Sequence, residues 1–148
     1  MKAQDFENTY PAFTGENTFG TGDPNDAYAR YFTGDSFLHL LTAPGVGLPV
    51  ANVTFAPGCR NFWHIHHAAS GGGQLLLCTA GAGWYQAKGE APVALRPGSV
   101  VVIPAGVEHW HGAAKEQPMA HIAIELPGTD CHTEWGREVT AEEYDRLA

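Results

Sequence analysis

Four side chains between residues 64 and 109 have the types and the spacing to bind one metal ion. Side chains alternate along a strand, so the imidazoles of His64 and His66 project from one face. Gln74 opens an apolar run and offers an amide oxygen, and His109 follows residues 100–106, a buried-strand pattern that ends in a turn. Three imidazoles and one oxygen suit Mn, Fe, Ni, Co or Zn. A thiolate site is excluded, because no two cysteines have ligand spacing.

Three further histidines are candidates for other roles. His111 lies on the same face as His109. It is a candidate for a fifth ligand, for an acid/base group or for a hydrogen-bonded neighbour of the ligands, and we favour the last two roles. His121 shares a face with the small Ala123, which leaves room beside the imidazole for a substrate. We therefore favour proton transfer at His121 over a core histidine bonded to backbone. His39 is a weaker candidate for the opposite wall, since such a residue is more often structural.

Short strands separated by Gly and Pro turns predict an all-β fold, a double-sheet jelly roll. The predicted strands cover residues 36–42, 49–55, 61–67, 74–79, 83–87, 92–95, 99–103, 108–113 and 119–126. The chain accordingly divides into an N-terminal arm (1–35), a β-barrel (36–128) and a C-terminal segment with a short helix (129–148). We expect the arm, which is rich in turn residues and aromatics, to pack on the barrel or on a partner.

The C-terminal segment combines a predicted loop with a predicted helix. Thr140 and Glu143 have the spacing of a capping box, and the residues that follow favour helix. His132 and Glu134 precede the helix, and with no further ligand nearby we predict a surface loop there instead of a second metal site.

Composition narrows the classes of function. The chain has 148 residues, of which 44% are hydrophobic, enough for one sizeable core. The net charge is -8 and the chain has no Lys/Arg cluster, so we do not expect the protein to bind nucleic acid or acidic membrane surfaces. No signal-peptide pattern and no run of 18 apolar residues occur, so we expect neither export nor a membrane span. Three scattered cysteines favour reduced thiols in a cytoplasm.

The ligand pattern resembles the two sequence motifs of the cupins. The first motif reads G-x5-H-x-H-x3/4-E-x6-G, and residues 58–81 follow it with a longer spacer between His66 and Gln74 and with Gln in place of Glu. The second reads G-x5-P-x-G-x2-H-x3-N, and residues 98–113 follow it except for Ala113 at the final position. This resemblance implies a double-stranded β-helix, the jelly-roll cupin barrel, with one divalent transition metal per chain.

The glutamine at position 74 favours chemistry in which the metal keeps its oxidation state. An amide ligand leaves a divalent ion with its full positive charge, which strengthens it as a Lewis acid and disfavours the trivalent state. Gln74 therefore points towards lyase, isomerase or decarboxylase chemistry.

A second, narrower resemblance also favours lyase chemistry. Segments 83–84, 109–114, 120–124 and 135–144 are similar to small bacterial cupins that include the manganese-dependent hydroxynitrile lyases and cupins associated with carboxymuconolactone decarboxylases. The lyases also use Gln as the third ligand. The resemblance implies manganese in preference to Fe, Ni, Co or Zn, a proton-transfer role for His121, and a homodimer or higher homo-oligomer.

The leading hypothesis is a metal-dependent lyase that acts on a small hydroxylated or carbonyl compound. Its substrate oxygen would bind at the metal, and His121, with His111, would move the proton. An Fe-dependent oxygenase or dioxygenase is the second hypothesis. The third is a non-catalytic, metal-dependent binding module for a small anion or sugar.

Overall fold

The computed structural model describes residues 1–147 of the chain. Its helices are α1 (Ala3–Thr9), α2 (Pro11–Glu16) and α3 (Ala141–Asp145), and a single 3-10 turn spans Ala29–Tyr31. The first eight strands are β1 (Asp23–Pro24), β2 (Phe32–Thr33), β3 (Ser36–Leu40), β4 (Val50–Phe55), β5 (Arg60–Asn61), β6 (His64–His67), β7 (Ser70–Gly71) and β8 (Gln74–Gly81). The remaining strands are β9 (Gly83–Ala87), β10 (Val93–Leu95), β11 (Val100–Ile103), β12 (His109–Ala113), β13 (Met119–Glu125), β14 (Gly128–Thr129) and β15 (His132–Trp135).

Two antiparallel sheets form the walls of a barrel. One has the order β1-β3-β4-β13-β8-β11. The other has the order β10-β9-β12-β5-β2, and β6 joins it by pairing with β12 and β15. Crossovers between strands that are distant in sequence make this a jelly roll, so the predicted all-β fold class is confirmed.

Each predicted strand has a counterpart, but one strand lies where a loop was predicted. His132 and Glu134 belong to β15, which pairs with β6, so the loop prediction was wrong. Both residues are exposed, as expected of surface, and β15 lacks the alternation of apolar and polar residues by which a strand is recognised in a sequence. The strand forms because it covers the edge of β6.

The N-terminal arm packs on the barrel of its own chain. Phe6 of α1 and Phe13 of α2 are buried in the main core, and the ring of Phe6 lies 5.0 Å from that of Phe37 on β3. Asn17 donates a hydrogen bond from Nδ2 to the hydroxyl of Thr54 at 3.0 Å. The two helices of the arm were not predicted, since helices of seven and six residues have little stability without such packing.

The C-terminal helix was correctly predicted. The side chain of Thr140 accepts a hydrogen bond from the backbone of Glu143, whose carboxylate accepts one from the backbone of Thr140, which completes the capping box. The hydroxyl of Tyr144 donates to the carbonyl oxygen of Ala113 at 2.6 Å and ties the helix to β12. No helix within residues 1–147 is long and apolar enough to cross a membrane.

The alternation of side chains along β3 and the conformation of Gly73 before β8 determine which side chains reach the barrel interior. In β3, Leu38 lines the interior, whereas the exposed His39 lies on the other face with Nδ1 2.5 Å from the carbonyl oxygen of Phe19. The prediction that His39 could line the barrel wall was therefore wrong. Gly73, directly before Gln74, has a φ of +92°, and a Cβ there would lie 2.2 Å from a backbone oxygen of Ile103. Only glycine allows β8 to begin so close to β11.

Candidate metal centre

Three buried histidines converge on one wall of the barrel. Strands β6 and β12 pair with His64 opposite His109, and the centroids of these two rings are 4.2 Å apart. His111, two residues along β12, faces the same way. One ring nitrogen from each of His64, His109 and His111 lies within 4.8 Å of the others. Strand pairing alone thus assembles a group that can bind a metal ion.

His66 and Gln74 lie beside this group. The ring centroid of His66 is 5.1 Å from that of His64 and 5.3 Å from that of His109. Gln74 opens β8 in the opposite sheet and is buried at the same cavity. The tightest group of histidines therefore contains His111 where the sequence prediction had His66, and His66 lies next to that group.

The backbone orients two of the histidines. His64 donates from Nδ1 to the carbonyl oxygen of Phe62 at 2.7 Å, and His109 donates in the same way to Val107 at 2.9 Å. Each acceptor lies two residues before its histidine, just ahead of the strand, so the adjacent backbone fixes each ring. Hydrogen bonding at Nδ1 leaves Nε2 as the nitrogen that can bind a metal, the arrangement common among metal-bound histidines.

Side chains from distant parts of the chain hold the other two candidates. Nδ1 of His66 lies 3.3 Å from the hydroxyl oxygen of Thr133 on β15. Gln74 donates from Nε2 to Oε1 of Glu125 at 2.8 Å. The other carboxylate oxygen of Glu125 lies 4.0 Å from Nδ1 of His66. One carboxylate thus lies behind both candidate ligands.

The free atoms of this cluster fit a divalent transition metal. Nε2 of His66, Nε2 of His109 and Oε1 of Gln74 are buried and have no hydrogen-bond partner within residues 1–147. An unpaired buried polar atom is costly, and a bound cation is a partner that such nitrogen and oxygen atoms can take. Burial lowers the pKa of His66, takes that of His64 well below its usual range, and lowers that of His109 to about 4. The imidazoles are therefore neutral at physiological pH, as metal ligands must be.

A second pair of histidines adjoins the ligands. Nε2 of His121 on β13 lies 2.9 Å from Nδ1 of His111. Burial lowers the pKa of His121 to about 4 and that of His111 well below its usual range, so both rings are neutral and one donates its N–H to the other at this contact. Asn61 accepts from the backbone N–H of His111 at 2.9 Å, and its Nδ2 lies 3.2 and 3.3 Å from the two nitrogens of the same ring. The imidazole of His111 is thus held between Asn61 and His121.

A cavity of about 470 Å³ opens onto both groups. Its polar lining includes His64, His66, Gln74, His111 and His121. Its apolar lining includes Phe32, Leu38, Val53, Phe55, Ala123 and Trp135. The indole of Trp135 stacks on the ring of His64 with centroids 4.6 Å apart, and Tyr31 stacks on the indole at 4.4 Å. The cavity has the dimensions and the largely apolar wall of a small-molecule site.

Four residues of this site were absent from the predicted set, namely Asn61, Glu125, Thr133 and Trp135. Asn61, Glu125 and Thr133 contact site residues between 50 and 67 positions away in the chain, and only strand pairing brings them together. Trp135 lies in the segment for which a loop was expected. No local pattern could have identified Asn61, Glu125 or Thr133, whereas Trp135 begins one of the segments that resemble the small bacterial cupins.

Comparison with known proteins agrees with the geometry. The family model described as a cupin domain matches residues 51–125. The chain is 42% identical over 120 residues to (R)-mandelonitrile lyase from Granulicella tundricola. The aligned region covers 80% of this chain and 88% of that protein. A cupin-like protein from Thermotoga maritima superposes with a TM-score of 0.74 at 37% identity, over 86% of this chain and 94% of that one. A cupin 2 conserved barrel domain protein from Rhodopseudomonas palustris shares the fold, with a TM-score of 0.60 at 19% identity, over 79% of this chain and 74% of that one. The chain belongs to the cupin family.

Proposed function

We propose that this protein is a metal-dependent lyase that cleaves a small cyanohydrin into a carbonyl compound and hydrogen cyanide. The observation that carries the proposal is the convergence of free, buried metal-binding atoms and a neutral histidine pair on one largely apolar cavity. The relative named (R)-mandelonitrile lyase supports an aromatic cyanohydrin as the substrate.

His64, His66, Gln74 and His109 are the proposed metal ligands, with His111 as a neighbour that the geometry also allows to bind. The four donors are neutral, so the ligand set subtracts nothing from the charge of the site. When bound, a divalent ion supplies the Lewis acidity that stabilises negative charge developing on the substrate oxygen. Manganese is the metal we propose, on the resemblance to the manganese-dependent lyases.

The pair of His111 and His121 is proposed to move the proton. In cyanohydrin cleavage the hydroxyl loses its proton, a C=O double bond forms, and the electron pair of the C–CN bond leaves with cyanide, which then takes up one proton. Because both rings are neutral, the pair can accept the hydroxyl proton and return it to cyanide. His111 is the member of the pair nearer to the ligands, since its ring centroid lies 5.5 Å from that of His64 and 5.8 Å from that of His109.

The cavity wall is proposed to bind the organic part of the substrate. Phe32, Phe55 and Leu38 give a surface against which a phenyl ring or short aliphatic chain can bury its apolar area. An apolar wall also excludes water, which strengthens the electrostatic interactions at the ligands.

The test is a mandelonitrile cleavage assay followed by the absorbance of benzaldehyde. We expect turnover by the metal-loaded protein, loss after treatment with a chelator, and recovery when Mn²⁺ is restored. Spontaneous decomposition is subtracted by using the His64→Ala variant under the same conditions. Benzaldehyde release no faster than that of the variant would contradict the proposal. Oxygen uptake that depends on substrate would indicate an oxygenase instead, and metal-dependent binding of a ligand without turnover would indicate a binding module.

A further inference from the structure

The side chain of Gln74 has two polar neighbours within residues 1–147, namely Glu125, to which its amide nitrogen donates a hydrogen bond, and His66. Gln74 and Glu125 stand directly opposite each other where β8 and β13 pair, so their side chains project from the same face of the sheet. On its other side, Gln74 is paired with Ile103, whose side chain has no polar atom. Glu125 is the neighbour to which the amide nitrogen donates, so it can determine how the amide is turned.

The contact selects one of the two orientations of the amide. Nε2 of Gln74 donates to Glu125 at 2.8 Å, which leaves Oε1 buried and unpaired. A half-turn of the amide would bring its oxygen against the carboxylate, where both atoms are acceptors and repel. The same half-turn would present an NH₂ group, which cannot bind a cation, in place of the oxygen. The carboxylate thus keeps the metal-binding atom of Gln74 available.

Glu125 also lies near a second candidate ligand. Its other oxygen is 4.0 Å from Nδ1 of His66, and the Glu125 side chain is 48% exposed. At this exposure solvent screens most of the charge, so orientation of the amide is the larger contribution.

We propose that Glu125 is a positioning residue of the metal centre, which turns the oxygen of Gln74 towards the ligand group, so that residues 74 and 125 act as a coupled pair of amide and carboxylate. The inference rests on the metal site of the proposed function and holds for any reaction performed there. It also gives a reason for Gln at a position where the cupin motif has Glu. A carboxylate at position 74 would face Glu125 directly, and like charges opposite each other destabilise paired strands.

The experiment measures the affinity of metal-stripped protein for Mn²⁺ by competition with a chelator. In Glu125→Gln, two amides can pair in either orientation, and we expect Mn²⁺ affinity to fall by about 10- to 100-fold, the range for losing a hydrogen-bond partner of a ligand. The exchanged variant Gln74→Glu/Glu125→Gln keeps one carboxylate, one amide and the bond between them. Its affinity should return to at least that of the wild type.

Glu134→Gln is the matched control. It removes the same charge from β15, where Glu134 bonds to His67 on the outside of the barrel, and it should change affinity by no more than about twofold. Thermal unfolding followed by circular dichroism verifies that each variant is folded, and the exchanged variant still tests the pair if Glu125→Gln unfolds.

Wild-type affinity in Glu125→Gln would overturn the inference, as would an equal loss in Glu134→Gln or a failure of the exchange to restore binding. A wild-type protein that binds no Mn²⁺ would overturn the inference together with the metal site. Tight Mn²⁺ binding without cyanohydrin cleavage would instead contradict the proposed function and leave this inference intact.

Discussion

The two walls of the cavity hold their polar side chains in different ways. On the histidine wall, formed by β6 and β12, His64 and His109 are oriented by carbonyl oxygens two residues earlier, just before each strand begins. On the glutamine wall, formed by β8 and β13, Gln74 depends on a side chain 51 residues away. The rings of His64 and His109 are therefore oriented by the backbone next to them, whereas the amide of Gln74 is oriented across a pair of distant strands. Loss of a histidine ligand on the first wall should accordingly abolish metal binding, whereas loss of the partner of Gln74 on the second should weaken it.

The largest effect is expected at the centre of the histidine wall. His109 is fully buried with a free Nε2, and His109→Ala should remove metal binding and bring turnover below detection. His67→Ala is the control, because His67 lies on β6 but bonds to Glu134 outside the barrel. The measurement is the metal content of the two purified variants. Retention of a full equivalent of metal by His109→Ala would show that the histidine wall is not the metal site.

The next effect separates proton transfer from metal binding. His121→Ala on the glutamine wall should keep the metal and lower kcat by about 10²- to 10⁴-fold, the usual contribution of a general acid or base. His39→Ala, an exposed histidine on the outer face of β3, should leave kcat unchanged. Steady-state kinetics and metal analysis on the same preparations distinguish the two roles of His121. Loss of metal together with activity would assign His121 to metal binding instead.

A smaller effect on metal affinity is expected at His66, which is held by a side chain and not by the backbone. His66 is the one predicted histidine ligand whose Nδ1 contacts a side chain, the hydroxyl of Thr133 at 3.3 Å. Thr133→Val should weaken Mn²⁺ binding by about tenfold, at the low end for such a partner, because Thr133 is exposed and water can replace the hydroxyl. Thr129→Val, at the neighbouring strand β14, is the control. Equal affinities for the two variants would mean that Thr133 does not orient His66.

The difference between the walls also explains what could be predicted from the sequence. The spacing of His64 and His66 specifies their common face, and the alternating or apolar runs specify the strands, since both are local properties. The roles of Glu125 and Asn61 depend on how distant strands pair, because no local pattern connects these residues to Gln74 or His111. The strand β15 has no apolar alternation and is stabilised by its partner β6, so its own residues gave no signal.

The most direct test of a metal-dependent site is elemental analysis of protein purified without chelators or metal-affinity resin. The cells should be supplied with balanced Mn, Fe, Ni and Zn, and the His64→Ala variant should be prepared in parallel. We predict close to one equivalent of manganese per wild-type chain and none in the variant. Predominant iron would favour oxygenase chemistry, and wild-type protein without any metal would contradict the account.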